Sequence, residues 1–258
     1  QNKIILLQKK SAAKGGASRS PTAGDETDAS LNTAEALALG DAIRTFVSGG
    51  RDTRAMELLR KLACDPPQTL LLEGGTAQER FFAAMYWAAL LNCPGRAPQT
   101  DGAASPRSLP SQDPASGYDE PKTPCLACPE CLRFLSRSHR DLFLFDGTAG
   151  SIKIAPVREL KSVLGTPPRE AAKRIVIFAE AQALTEEAAN ALLKSLEEPR
   201  PGTAFVLLVP QREQVLPTLV SRSWALTLAW PDPGSAGQEE EQEWSRRFAE
   251  FITQGTGL

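Results

Sequence analysis

Short, wholly apolar runs alternate along this chain with longer stretches that carry an apolar stripe. Thr69 to Leu72 is a short apolar run that ends in Glu73-Gly74-Gly75 and leads into a segment from about Gln78 to Leu91 that is apolar all round. The first predicts a strand, the glycines a turn and the second a buried helix. Phe143 to Phe145, Arg174 to Ala179 and Phe205 to Val209 are further strand-sized runs, continuous in the way of strands covered on both faces. Between the last two, Thr185 precedes Glu186 and Glu187, and Ala189, Leu192, Leu193 and Leu196 recur at helical spacing until Pro199. This predicts a helix capped by Thr185, with acids at the positive end of its dipole and one side on the sheet. One more helix is expected from about Gln238 to Thr253, with Gly255 as its stop. Gln8 to Ser30, Gly95 to Pro124 and Pro231 to Gly237 hold too few apolar residues to offset ordering and are expected to be linkers or disordered segments. The resulting order of helix, strand, helix, cysteine segment, strand, helix, strand, helix, strand favours an α/β fold with a parallel sheet flanked by helices.

Composition narrows this picture only a little. The 258 residues are 41% apolar and 23% charged, enough for a substantial core, and the formal charge of -2 gives no bulk attraction to nucleic acid. The longest apolar run, Phe81 to Leu91, is about half the length that a membrane helix needs. No membrane association is expected, and the cytoplasm is the default compartment. The chain opens on Gln1 rather than Met, without a cleavable leader signal, so the true N-terminus is expected to be altered or absent.

Candidate chemistry concentrates in the cysteines. Cys125, Cys128 and Cys131 form C-x2-C-x2-C, and Cys93, at the end of the preceding helix, can be brought beside them by loop closure. Four thiolates complete a closed tetrahedral zinc shell, so Zn2+ is the expected ligand and its role structural, with no open position for water. An iron–sulfur cluster of the bacterial type would need a cysteine four positions after Cys131, where Leu135 stands. Four unrelated thiols are the bland alternative. Cys64 stands apart and is expected to be an ordinary buried thiol, and His139, the single histidine, a packing or surface residue.

The strand, glycine turn and helix at Leu70 to Leu91 have the order of a phosphate-binding loop. Counted from Gly74 at the spacing G-x4-G-K-[ST], however, the terminal residues are Glu79-Arg80-Phe81. Glu79 brings a side chain and a negative charge where backbone must approach phosphate, Phe81 has no hydroxyl for magnesium, and Arg80 keeps a cation. A plain glycine turn remains an equal reading of this segment alone. The strand Ile175 to Phe178 then runs into Ala179-Glu180, where a magnesium-holding strand would present Asp-Glu; Ala179 cannot hold the ion.

The run Leu184-Thr185-Glu186-Glu187-Ala188-Ala189-Asn190-Ala191-Leu192-Leu193-Lys194-Ser195-Leu196-Glu197-Glu198-Pro199 resembles the helix after the Walker B strand in bacterial clamp-loader subunits. Ser221-Arg222-Ser223 resembles that family's Ser-Arg-Cys motif, with Ser223 in place of Cys, and the cysteine module matches in position. The resemblance covers roughly Leu70 to Trp230. It implies a RecA-like AAA+ domain over 31–230 with an inserted zinc module at about 93–135, preceded by a leader over 1–30 that is disordered or extraneous to the fold. Residues 231–258 would be a linker and the start of a small helical lid, and the family's C-terminal collar would lie beyond the chain. Members that lack the complete phosphate loop do not hydrolyse ATP, so no ATP is expected on this subunit, and Val209-Pro210 stand where active members carry a polar sensor. Arg222 matches the arginine finger that reaches a neighbouring subunit's ATP; its alternative is a surface salt bridge. The partners implied are delta and gamma or tau subunits, and through them the beta sliding clamp and primer–template DNA. Two other readings stay open: an active ATPase of the gamma/tau type in which Arg80 is the phosphate cation, and a zinc-knuckle module that holds DNA through Arg133, Arg137 and Arg140.

Overall fold

The computed structural model describes residues 23–95, 123–197, 201–230 and 245–246, with side chains from residue 33 onward. Two helices come first, α1 (Ala23–Ser48) and α2 (Thr53–Leu62), followed by β1 (Thr69–Gly74) and α3 (Ala77–Asn92). Next come α4 (Pro129–Leu135), β2 (Leu142–Asp146), α5 (Ile154–Leu164), β3 (Arg174–Ala179), α6 (Glu186–Glu197), β4 (Thr203–Leu208), α7 (Pro217–Val220) and β5 (Trp224–Leu228). All strand pairs are parallel, in the order β2-β3-β4-β1-β5. The expected class, a parallel sheet flanked by helices, is the one found.

Alternation along the strands sorts side chains into two cores, because successive residues of a strand face opposite ways. Leu70, Leu72, Ile175, Ile177, Val206 and Leu208 face α1, α2, α3 and α4, while Leu71, Val176, Phe178, Phe205 and Leu207 face α5, α6 and α7. Helix α3 is buried from Arg80 to Asn92, as its unbroken apolar character requires. Helix α6 starts as expected: Thr185 Oγ1 accepts the Ala188 N–H at 3.3 Å, and Ala188, Ala189, Leu192 and Leu196 are buried. Among the described residues no helix is long and apolar enough to cross a membrane.

Several expectations shift. Helix α1 begins at Ala23, inside the stretch expected to be a linker. The fifth strand, β5, was not anticipated, because its Trp224-Ala225-Leu226-Thr227-Leu228 alternates where the other strands are continuously apolar; it is an edge strand with one face exposed. Cys64 is exposed and not buried, since it sits in the turn after α2, beyond the last residue that packs. The helix expected from Gln238 to Thr253, the Gly95 to Pro124 linker and the 1–30 leader lie wholly or largely outside the described residues.

The segment between α5 and β3 has little regular structure and is held by one buried pair of charges. Asp141, 1% exposed, accepts the backbone N–H groups of Arg169, Glu170 and Ala171 at 2.8 to 3.1 Å, and lies 3.6 Å from Arg174 Nε. Arg174, fully buried, donates to the carbonyls of Val163, Thr166 and Pro167 at 2.8 to 3.1 Å. Burial alone would raise the Asp141 pKa; the three amides and the Arg174 charge outweigh it and hold the carboxyl below its ordinary range. A carboxyl depressed in the folded state adds stability above its unfolded pKa, roughly 3.9, and that stability is lost as pH falls through the folded value. Asp141→Asn should therefore lower stability by about 3 kcal/mol near neutral pH. Urea denaturation should show the gap to wild type closing below about pH 4; a gap constant into acid would remove the carboxylate charge as its cause.

Candidate functional site

Because the strands are parallel, the residues that follow β1, β3 and β4 emerge at one edge, where ligands of open α/β sheets bind. Gly74 at the end of β1 has φ +75°, and a Cβ there would stand 2.4 Å from the Leu228 carbonyl oxygen of β5. The glycine is thus required by a neighbouring strand as well as by the turn. Helix α3 follows with a closed capping box: Thr76 Oγ1 accepts the Glu79 N–H at 3.2 Å, and Glu79 Oε2 accepts the Thr76 N–H at 2.7 Å. Arg51, from the connection between α1 and α2, pairs with the other Glu79 oxygen. The positive end of a helix is a ready anion site, and here the chain's own carboxylate fills it.

Arg80 is 3% exposed. Its Nη1 donates to the carbonyls of Gly74 and Gly75 at 2.9 and 3.0 Å, and its Nη2 to Glu180 Oε1 at 2.9 Å. The cation retained at the phosphate-loop position is therefore turned onto the loop itself and onto the acid that follows β3. Glu180 has φ +53°, uncommon for a residue with a side chain, and Gln182 Nε2 donates to its second oxygen at 2.6 Å. Gly147 lies against its backbone, where a Cβ would stand 2.4 Å from the Glu180 carbonyl oxygen. Beside this, Glu73 is buried at the end of β1 and accepts the Arg212 backbone N–H at 3.1 Å, Arg212 Nε at 2.9 Å and the Thr227 hydroxyl at 2.7 Å. Burial pushes the Glu73 pKa up, but Arg212 and Thr227 outweigh it and leave the carboxyl below its usual range.

Arg222 is placed at the opposite edge. It follows α7 and precedes β5, in which Trp224 stands beside Leu70 and Leu228 beside Gly74. The strand alone spans roughly 13 Å, so Arg222 does not reach the glycine turn of its own chain. Its Nη1 donates to Thr218 O at 3.1 Å and Ser221 Oγ at 3.3 Å, and its Nη2 pairs with Glu197 Oε1 at 2.6 Å. Both partners of this pair are substantially exposed, at 36% and 47%.

The four cysteines come together as the spacing suggested. The sulfurs of Cys93, Cys125, Cys128 and Cys131 all lie within 4.8 Å of one another, with Cys93 to Cys125 at 3.6 Å and Cys93 to Cys128 at 4.0 Å. A tetrahedral zinc at its usual thiolate distance would set sulfurs about 3.8 Å apart, so the cluster has the dimensions to hold such an ion. Backbone N–H groups of Cys125, Cys128 and Cys131 point at the sulfurs of Cys93, Cys125 and Cys128 at 3.3 to 3.5 Å, which favours the thiolate form. At Cys125 burial acts to raise the pKa, but the amides of Ala127 and Cys128 outweigh it and bring the thiol down to about 7. Burial and the neighbouring sulfurs push Cys131 well up.

His139 is fully buried, stacked on Phe134 with centroids 4.2 Å apart, and no ligand of the cluster. Its Nδ1 accepts the Asp141 N–H at 3.0 Å, which leaves Nε2 to donate to Glu130 at 2.9 Å. Arg133, Arg137 and Arg140 do not form the open cationic face that a DNA-holding knuckle needs. Arg133 pairs with Glu130 and Glu170, Arg140 lies 3.5 Å from Glu170, and Arg137 is 4% exposed. Sequence reasoning missed the Arg80–Glu180 and Glu73–Arg212 pairs. For Glu73 the available signal was an isolated charge at the end of an otherwise apolar strand, whereas Arg80, beside Gln78 and Glu79, carried none.

A family model described as DNA polymerase III, delta subunit, matches residues 111–232. That segment is thus similar to the DNA polymerase III delta-subunit family. The chain is 38% identical over 103 residues to DNA polymerase III subunit delta' of Bacillus subtilis (strain 168), which covers 40% of the chain and 31% of that protein. It is 35% identical over 125 residues to the Yersinia pestis subunit delta', covering 48% and 37%. The matches thus span about a third of the length of these curated relatives. A gamma subunit-related DNA polymerase III protein from Thermotoga maritima is a further solved neighbour, 19% identical, with a TM-score of 0.46 over 68% of this chain and 46% of that one.

The Arg80 arrangement generates a stability prediction. Arg80→Met should cost about 3 kcal/mol, because Glu180 is left half-buried without its partner. Adding Glu180→Gln should recover much of that loss in a denaturation double-mutant cycle; strictly additive costs would show that the two are not coupled.

Proposed function

We propose that the chain acts as a non-hydrolysing, delta-prime-like clamp-loader subunit of DNA polymerase III in the cytoplasm. It would join delta and gamma or tau subunits and support the ATP-dependent opening of the beta sliding clamp and its placement on primer–template DNA. The observation that carries this reading is the self-filled phosphate position: Glu79 lies over the start of α3, and Arg80 is committed to Glu180 and the turn carbonyls. A triphosphate would need a free cation and free amides there, and magnesium would need an oxygen where Ala179 and Phe81 have none. The active-ATPase alternative requires Arg80 to leave a buried ion pair.

Arg222 is the proposed arginine finger in trans. What supports it is its place at the edge remote from its own glycine turn, exposed and tethered by the surface pair to Glu197 and by bonds to Thr218 O and Ser221 Oγ close by in its own chain. Surface pairs of this kind contribute little, so the guanidinium can be redirected to the developing charge on a neighbour's phosphoryl group. Cys93, Cys125, Cys128 and Cys131 would hold a structural Zn2+, which would fasten the end of α3 to the start of α4. A closed thiolate shell stabilises the fold and leaves no position for catalysis.

In a loader reconstituted with the full-length subunit, Arg222→Ala should reduce DNA-stimulated ATPase by about 10³-fold or more at the interface it faces. Unchanged turnover removes the finger assignment. Equilibrium binding of the chain alone to magnesium ATP should be undetectable; tight binding with turnover would replace this reading by an active gamma/tau-type ATPase. Elemental analysis of protein purified without added metal should give about one zinc per chain, and Cys131→Ser should lose it together with stability; iron or no metal would overturn the zinc assignment.

A further inference from the structure

A cavity between α5, α6 and the start of β4 takes no part in the arrangement above. It has a volume of about 290 Å³ and is lined by Lys161, Leu164, Lys194, Ser195, Thr203 and Phe205, with Gly165 at its rim. Lys161 and Lys194 occupy the last turns of α5 and α6. A lysine there complements its helix dipole, which accounts for one lysine on each helix. It does not by itself explain why both side chains line the same cavity.

Neither lysine has an acidic partner among the described residues. Glu197, one turn beyond Lys194, is already paired with Arg222. Thr203 is 6% exposed, and neither its hydroxyl nor that of Ser195 has a hydrogen-bond partner among the described residues. Neither hydroxyl is sealed from water, so each is free to donate to a bound acceptor. Two cations, two free hydroxyls and an apolar wall of Leu164 and Phe205 thus converge on one space.

We infer that this cavity binds a phosphate group carried by a small molecule. Lys161 and Lys194 supply the counter-charge, as lysine does for phosphate in the manner of a point charge. Ser195 and Thr203 donate hydrogen bonds to its oxygens, and Leu164 and Phe205 cover the carbon portion of an ester. The volume is at the lower end of small-ligand pockets, roughly 300–1,000 Å³, which suits inorganic phosphate or a small phosphomonoester better than a polynucleotide. The site does not depend on the clamp-loader reading.

Calorimetric titration of the chain with inorganic phosphate, and in parallel with adenosine monophosphate and adenosine, tests this. Phosphate and the monophosphate should bind and adenosine should not; whichever of the two binds more tightly distinguishes free phosphate from an ester as the source. Lys161→Met and Lys194→Met should each weaken phosphate binding about tenfold while the unliganded melting temperature stays unchanged. Lys61→Met, on a lysine paired with Glu57 outside the cavity, should leave binding intact. Absence of binding at millimolar phosphate would overturn the inference, as would an equal loss in the Lys61 variant. Lysine-dependent binding of a single-stranded oligonucleotide without phosphate binding would also overturn it, in favour of a nucleic-acid surface.

Discussion

The guanidinium of Arg80 is the group on which the ligand-binding edge of this sheet depends. A buried arginine is tolerable only where its donors meet acceptors, and one left unpaired costs several kcal/mol. Arg80 meets this demand at its two terminal nitrogens, which join the turn after β1 to the acid after β3, while its buried Nε is left without a partner among the described residues. Strand β4 lies between those two strands, so the pair spans the sheet edge like a strap. Two other acids of that edge are used the same way: Glu73 holds Arg212 and Thr227, and Asp52 holds the Ala229 N–H at 2.7 Å. Between the turn after β1 and the acid after β3, where an open α/β sheet normally leaves room for a ligand, the chain's own charges meet.

The two arginines with chemical interest differ in the environment that sets their cost of movement. Arg80 would abandon a buried carboxylate and two carbonyls, whereas Arg222 would give up an exposed pair and gain water. The first is fixed by the fold, and the second is held mainly by exposed contacts that contribute little, as the proposed finger role would require. The cysteine cluster adds a third constraint on the same α3: its start is held by Glu79 and Arg80, and its end delivers Cys93 to the sulfurs at the start of α4. The helix is therefore pinned at both ends by groups that are not part of its own hydrogen-bond ladder.

Those parts of the fold that rest on local pattern were legible in the sequence. Continuous apolar runs marked β1, β2, β3 and β4, and Thr185 with its following acids marked the start of α6, since each is decided by burial or by contacts a few residues apart. Cys125, Cys128 and Cys131 were legible as a cluster because their spacing is itself the geometry, and Cys93 needed only loop closure. Strand β5 was hidden because an exposed face breaks the apolar run that identifies a strand. The Arg80–Glu180 pair was hidden for a different reason: the partners are a hundred residues apart, and nothing near Arg80 says which way it turns. Arg137 misled in the same way, since a third arginine near the cysteines looks solvent-facing until its burial is known.

A ligand shifts a conformational equilibrium only by as much as it binds one state better than another. Subunits that bind ATP acquire counter-charges at the phosphate position when the nucleotide arrives and lose them when it leaves. In this chain a carboxylate at the start of α3 and a guanidinium on Glu180 are covalent parts of the molecule, present at unit occupancy whatever the nucleotide concentration. On the proposed non-hydrolysing reading there would then be no differential affinity through which ATP could move β1 against β3. A subunit so built keeps one geometry at this edge throughout a nucleotide cycle, and the edge bearing Arg222 keeps one position relative to it, because β5 is in register with β1 along its length. Rigidity at the filled site is thus what would let an exposed arginine at the other edge present itself to a neighbour at a constant distance and angle.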